Sequence, residues 1–149
     1  RTPTSALLQR MGRVVGKLHP EIAISLALPA DEVVFAGERE DLEEIVGNLL
    51  ENATKWAKTA VRISVVSITG AEGAAEEFLI DSEDDGPGIP EDRAREALKR
   101  GRQLDETKPG TGLGLAIVSD LVKEYGGTLA LETSPMGGLK ASVGLRSVR

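Results

Sequence analysis

REDLEEIVGNLLENATKWAK, residues 39–58, is the stretch on which the fold turns. Leu42, Ile45, Val46, Leu49, Leu50, Ala53 and Ala57 recur at helical spacing, which predicts a long helix with one face in a core. On it Asn48 and Asn52 stand four residues apart, so both carboxamides share a face that Lys55 and Trp56 continue. A carboxamide oxygen is a hard, neutral ligand, suited to a Mg²⁺ ion that stays bridged to phosphates. A polar stripe turned to solvent would leave the same pattern.

Upstream, Leu7, Leu8, Met11, Val14, Val15 and Leu18 predict a helix from Thr4 to Leu18, capped by Thr4 or Ser5 and ended by His19-Pro20. Ile22, Ile24, Leu26 and Leu28 alternate with smaller residues as in a half-buried strand, and Val33 to Ala36 is a short second one. Downstream, Val61 to Thr69 and Glu77 to Asp81 form a strand pair across the turn Gly70-Ala71-Glu72-Gly73. A short helix is expected to start at Pro90, a favoured first helical residue. The charged, aperiodic stretch from Gly101 to Pro109 reads as a mobile loop. Leu113 to Tyr125 is helical and stops at Gly126-Gly127. Thr128 to Thr133 and Lys140 to Leu145 make a closing hairpin around Ser134 to Gly138. Strands and helices mix without strict alternation, which points to a two-layer α/β sandwich, an open sheet with helices on one face.

Two further clusters carry chemistry. Asp84-Asp85-Gly86-Pro87-Gly88-Ile89-Pro90 follows a strand. Its glycines allow close backbone approach to a flat ligand, and a carboxylate there can accept a hydrogen bond from an adenine amine. An ordinary acidic turn is the plainer alternative. Gly110-Thr111-Gly112-Leu113-Gly114-Leu115-Ala116 opens a helix, where backbone N–H groups make an anion site. The G-x-G-x-G spacing after a polar loop is not the dinucleotide fingerprint, and no G-x-x-x-x-G-K-[ST] sequence occurs.

The bulk properties are those of one ordinary folded domain: 149 residues, 40% hydrophobic and 28% charged. With 3% aromatic residues the core must be built from Leu, Val, Ile and Ala. A net charge of −6 argues against a nucleic-acid partner. The absence of cysteine excludes disulfides and thiolate metal sites. No apolar run approaches the ~20 residues of a membrane span, and the first residues do not read as a signal peptide.

In this order and spacing the three clusters closely resemble the N box, the D-x-G-x-G box and the glycine-rich lid box of the Bergerat-fold ATPases, which include gyrase, mismatch-repair ATPases, heat-shock chaperones and histidine kinases. The resemblance runs from about Thr4 to Leu145. It implies an α+β fold with a mixed, mostly antiparallel sheet, residues 1–20 being the end of a linker with its leading helix and residues 21–149 the ATP-binding domain. Hydrolytic members and the related anti-sigma kinases carry Glu as a general base four residues before the metal-binding Asn. Here that position is Asn48, which cannot take a proton. In this the chain is similar to sensor histidine kinases, and to the PhoQ type most of all. A non-catalytic nucleotide-binding module of a degenerate kinase, or a hydrolytic ATPase, is the alternative.

The resemblance implies roles residue by residue. Asn48 and Asn52 would bind Mg²⁺, Lys55 would reach phosphate, and Trp56, where the family usually has Tyr, would lie against the base. Asp84 would bind the adenine amine in a pocket shaped by Gly86, Gly88 and Ile89. Lys108, Gly110, Thr111, Gly112, Leu113, Gly114 and Leu115 would hold the phosphates, largely through backbone. The usual Phe before the lid is replaced by Leu98. The lid arginine falls near Gln103, with Arg100 and Arg102 beside it, and Arg102 is taken as the cofactor-binding one. The single histidine, His19, ends a helix and is followed by Pro20-Glu21, which is not the context of a phosphoacceptor. The resemblance therefore implies an acceptor on a dimerisation domain upstream of residue 1, a response regulator as partner, and a membrane-anchored, dimeric parent whose cytosolic, monomeric fragment this is.

Overall fold

Helix α2, Arg39–Trp56, buries Leu42, Ile45, Val46, Leu49 and Leu50 to 1% exposure or less. Each such side chain contributes roughly 2 kcal/mol, so this stripe is the main post of the core. Glu40 and Asp41 lie in the first turn and Lys55 in the last, the arrangement that suits the helix dipole. The helix stops two residues short of the expected Lys58, and the cause is a distant side chain. The Asp85 carboxylate takes the backbone N–H groups of Lys58 (2.8 Å), Thr59 (3.0 Å) and Ala60 (3.1 Å), and the Thr59 hydroxyl as well.

The computed structural model describes residues 1–68, 76–88 and 113–148. Around α2 stand α1 (Thr4–Leu18), α3 (Leu113–Glu124) and seven strands: β1 Thr2–Pro3, β2 Ala23–Ala27, β3 Val34–Phe35, β4 Ala60–Ile68, β5 Glu77–Asp84, β6 Thr128–Thr133 and β7 Leu139–Val148. They form one sheet in the order β1-β3-β7-β5-β4-β2, with β6 also paired to β7. Among the described residues only the β2–β4 pair is parallel, with Leu26 opposite Ile63. Helices cover one face, as the mixed α/β pattern predicted. The expected turn at residues 70–73, the helix from Pro90 and the loop at residues 101–109 lie outside the described residues.

Alternation decides which face is covered. Val61, Ile63 and Val65 of β4, Phe78 and Ile80 of β5, and Leu139, Ala141, Val143 and Leu145 of β7 point into the core. Their neighbours face away and form a row of alternating charge across four strands: Glu132 opposite Lys140, Lys140 opposite Glu83, Glu83 opposite Arg62. This row keeps the open face polar. Phe35, Phe78 and Tyr125 close one end of the core, the Phe35 ring 6.2 Å from Phe78 and 5.0 Å from Tyr125.

Helix α1 shares this core through Leu7 and Leu8. Its start differs from the expected cap. Pro3 occupies the cap position and no side chain of the helix caps it. The Thr4 hydroxyl donates instead to the Val33 carbonyl (2.8 Å), and the Glu32 carboxylate accepts from the Ser5 N–H and hydroxyl. These three bonds reach 27 to 29 residues along the chain, so they serve to tie α1 to the strand edge. Strand β5 runs on to Asp84, three residues beyond expectation, because β7 pairs with it as far as Glu83 and β4 as far as Asp84. Among the described residues, no helix is long and apolar enough to cross a membrane.

The Asp85 clamp has a pH signature. The Thr59 hydroxyl and the surrounding N–H groups hold the carboxyl below the usual carboxylate range. Its contribution is therefore present above the unfolded value near 3.9 and lost as the pH falls below it. Asp85→Ala should lower Tm by a constant amount between pH 5 and 8, and the gap to wild type should narrow below about pH 4. A gap that holds steady down to pH 3 in thermal melts would contradict the clamp.

Candidate functional site

The site grows from the C-terminal half of α2 and the end of β5, which the core packs side by side. Asn52 is buried, and among the described residues its Oδ1 is one of two buried side-chain atoms without a hydrogen-bond partner. Nearby Thr54 bonds its own helix, donating to the Leu50 carbonyl (2.9 Å). Asn48, one turn earlier, is half-buried and differs in state. Its Nδ2 donates to the Glu44 carbonyl (2.7 Å), and its Oδ1 faces α3, where a Cβ on Gly114 would stand 3.3 Å away. The two carboxamides read alike in the sequence, but only that of Asn52 holds a buried acceptor open. Lys55 is exposed, with Nζ 6.0 Å from the centroid of the Trp56 ring.

Asp84 ends β5 on the core face, 1% exposed. Its Oδ1 accepts from the Gly86 N–H (2.9 Å) and the Leu139 N–H (3.4 Å), and its carbonyl accepts from the Gly138 N–H (3.1 Å). Burial pushes its pKa up, the two N–H groups pull it back, and the neighbouring Asp85 charge adds to the rise. A desolvated carboxylate in this state is a strong acceptor for a ligand N–H.

Glycine builds the walls. A Cβ on Gly86 would lie 2.0 Å from the Trp56 carbonyl oxygen, so the loop after β5 packs directly on the end of α2. A Cβ on Gly138 would lie 2.1 Å from Asp84 Oδ1 and 2.7 Å from the Gly86 nitrogen. Gly88 has φ +77, and a Cβ on it would lie 3.7 Å from the Gly138 backbone. The sequence pointed to Gly86 and Gly88 but passed over Gly138 and Leu139. Gly137-Gly138 looked like hairpin chemistry, and nothing local says that the hairpin tip folds onto a carboxylate fifty residues away.

The third cluster is described in part. Ile89, Arg102, Lys108, Gly110, Thr111 and Gly112 lie outside the described residues. Leu113 opens α3, and Gly114 sits against Asn48. Leu115 is 0% exposed and belongs to the core, so what it can offer a phosphate is the N–H of the helix's first turn. His19 follows α1 in a turn closed by the Ile22 N–H on its carbonyl (3.0 Å), with Nδ1 3.8 Å from the Glu21 carboxylate. Among the described residues, no group of three or more His, Asp or Glu could hold a metal. A cation here would depend on carboxamide oxygen and on phosphates brought by a ligand, a donor set that Asn52 Oδ1 fits.

The chain is similar to known proteins. Residues 37–148 match the family described as histidine kinase-, DNA gyrase B-, and HSP90-like ATPase. Sensor protein kinase CarS of Pseudomonas aeruginosa is 44% identical over 126 residues, covering 85% of this chain and 27% of that protein. Sensor protein PhoQ of Escherichia coli O157:H7 is 33% identical over 142 residues, covering 95% of this chain and 28% of that protein. The chain thus spans less than a third of the length of these relatives. The ATP binding domain of PrrB from Mycobacterium tuberculosis superposes with a TM-score of 0.77 at 26% identity, over 99% of this chain and 96% of that one.

Gly138→Ala tests the cradle. The added methyl must displace backbone as well as the Asp84 carboxylate, which costs about 1–3 kcal/mol. The variant should melt several degrees lower and lose at least tenfold in affinity for any ligand of Asp84, measured by calorimetry. A variant that melts and binds like wild type would show that the turn does not wrap Asp84.

Proposed function

The chain belongs to the histidine kinase-, DNA gyrase B- and HSP90-like ATPase family, and from that premise we propose that it is the catalytic ATP-binding domain of a sensor histidine kinase, one that transfers the γ-phosphoryl of ATP to a histidine on a dimerisation domain. The observation that carries this reading is the buried Asp84 carboxylate in its glycine cradle, beside an α2 face that ends in the open oxygen of Asn52. The first fits the adenine amine and the second fits Mg²⁺ on the phosphates.

In this reading Asp84 orients the base, Trp56 lies against it, and Gly86, Gly88 and Ile89 shape the pocket. Mg²⁺, when bound with ATP, would neutralise charge on the phosphates. Asn52 would ligate it directly. Asn48, with its nitrogen held by the Glu44 carbonyl, would offer its oxygen toward the start of α3. Lys55 would meet phosphate, joined by Arg102, Lys108 and the backbone of Gly110 to Leu115. No group at Asn48 can accept a proton, which suits a nucleophilic imidazole as acceptor and leaves water without an activator. The resemblance to two sensor kinases at 44% and 33% identity supports kinase over hydrolase. Residues 21–149 would be the catalytic domain and residues 1–20 its leading helix. The parent would be a membrane-anchored dimer with this domain in the cytosol and a response regulator downstream.

Two outcomes test the reading. Asp84→Asn replaces a charged acceptor and should weaken ATP and ADP alike by roughly 1.5–3 kcal/mol, while GTP, which presents a carbonyl at that position, should bind poorly even to wild type. Equal calorimetric affinities for ATP and GTP would defeat the assignment. Mixed with Mg-ATP and a dimerisation domain carrying an acceptor histidine, the chain should form an acid-labile, base-stable phosphohistidine. Alone it should turn over ATP very slowly, and Asn52→Ala should abolish labelling. Fast hydrolysis by the chain alone, unchanged in Asn48→Ala, would indicate a water-activating ATPase.

A further inference from the structure

Strand β2 ends the sheet, and among the described residues no strand pairs with its outer edge. Sheet edges are normally blunted by charge, proline or a bulge, because their unpaired N–H and C=O groups invite another chain. Here that protection is missing. From Ile22 to Ala30 the sequence IAISLALPA carries no charge, and Pro29 lies beyond the strand. Backbone parity fixes what the edge offers. The Ala23 N–H donates to the Thr59 carbonyl (2.8 Å), on the side of β4. Backbone groups alternate along a strand, so those of Ala23, Ser25 and Ala27 serve β4, and those of Ile24 and Leu26 face outward. The side chains of Ile24 and Leu26 stand opposite the buried Val61 and Ile63, on the helix-covered face, yet are only half-buried. With Leu28 they line a groove against Gly12 and Gly16 of α1, and Arg13 is the one charged residue lining it. A Cβ on Gly12 would stand 3.1 Å from Leu26, whereas one on Gly16 would meet nothing within 4 Å, so the groove opens toward Gly16.

The occupant follows from the strand's own sequence. Ala23-Ile24-Ser25-Leu26-Ala27 reads nearly alike in both directions. We propose that β2 is a dimerisation edge, which pairs antiparallel with β2 of a second copy of this chain about a two-fold axis at Ser25. In that register Ile24 faces Leu26 of the partner subunit, Ala23 faces Ala27 of the partner subunit, and the two Ser25 residues face each other. The outward groups then make four hydrogen bonds, two for each Ile24–Leu26 pair. The Ser25 pair is of the closer, non-hydrogen-bonded kind, with Cα atoms about 4.5 Å apart. Charge favours this occupant: the whole chain carries −6, and an uncharged edge is where two copies meet with least repulsion. The axis stands perpendicular to the sheet, so both α1 helices remain on one side and the two grooves join. Gly16 leaves room there for the partner's helix to approach and cover Ile24, Leu26 and Leu28. Two five-residue strands and the joined grooves bury about 1,000 Å² in total, the low end of specific interfaces. The dimer is therefore weak, with Kd on the order of 100 µM, and the chain is monomeric when dilute. This inference is independent of the nucleotide site.

Analytical ultracentrifugation of the chain without nucleotide, from about 10 µM to about 1 mM, should show a reversible monomer–dimer equilibrium. Ser25 is exposed and lies opposite Arg62 of β4, so Ser25→Glu gains a favourable neighbour within its own sheet. On the axis, however, it sets two carboxylates against each other and should weaken the dimer at least tenfold. Ser25→Lys should weaken it likewise. An equimolar mixture of the two variants should associate at least as tightly as wild type, which requires residue 25 of one copy to meet residue 25 of the other. Gly16→Leu fills the groove from a position with open space around it, so it should melt no lower than wild type and yet stay monomeric. It keeps the test open should the Ser25 variants fold poorly. A wild type that remains monomeric to about 1 mM would overturn the proposal and leave the edge to an unrelated extended peptide. A dimer that survives both Ser25→Glu and Gly16→Leu would place the contact elsewhere, and a Glu–Lys mixture that fails to associate would refute the register; either result also overturns it.

Discussion

One buried carboxylate organises this end of the molecule. Asp84 sits where β5 leaves the sheet, shielded from water yet required to carry charge if it is to hold a base amine. Two backbone N–H groups, from Gly86 and Leu139, make that tolerable, and both come from segments that must approach too closely for any side chain. The hairpin between β6 and β7 therefore folds over the strand end, and the loop after β5 lies on the Trp56 carbonyl. Loop, hairpin and helix end meet because a charge has to be desolvated and still satisfied.

The adjacent aspartates show how environment divides labour between identical side chains. Burial raises the pKa of Asp84, whereas the Thr59 hydroxyl and three N–H groups depress that of Asp85. Asp85 terminates α2 and hands the chain to β4, and so fixes where Asn52 and Trp56 stand relative to Asp84. Among the described residues, Asn52 Oδ1 and Ser82 Oγ are the two buried side-chain atoms without a hydrogen-bond partner. Both are places where the protein alone leaves a polar group unanswered.

Much of this was legible in the sequence, and the rest was not for definable reasons. The stripe Leu42 to Ala53 announced α2, because helical periodicity is a local signal. Its end was misjudged by two residues, since the stop comes from Asp85, which follows β5. Thr4 looked like a cap because Thr before an apolar stripe usually is one, yet its hydroxyl serves Val33 twenty-nine residues on. Asn48 and Asn52 gave the site's face, but their unequal states follow from the Glu44 carbonyl and from Gly114 on another helix. Gly138 and Leu139 carried no local mark at all. Their meaning arises only when β5 is paired between β4 and β7.

The central claim is that Asp84 is a desolvated carboxylate completed by an adenine amine. The direct measurement is the pKa of its carboxyl group, followed by carbon NMR across a pH titration with Asp84→Asn to assign the signal, in the free protein and in the saturated ATP complex. Desolvation should place the free value above the ordinary carboxylate value near 3.9. Because the amine donates only to the ionised form, ATP should pull the value down and GTP should not. An Asp84 that titrates at the ordinary value and does not respond to saturating ATP would contradict the account.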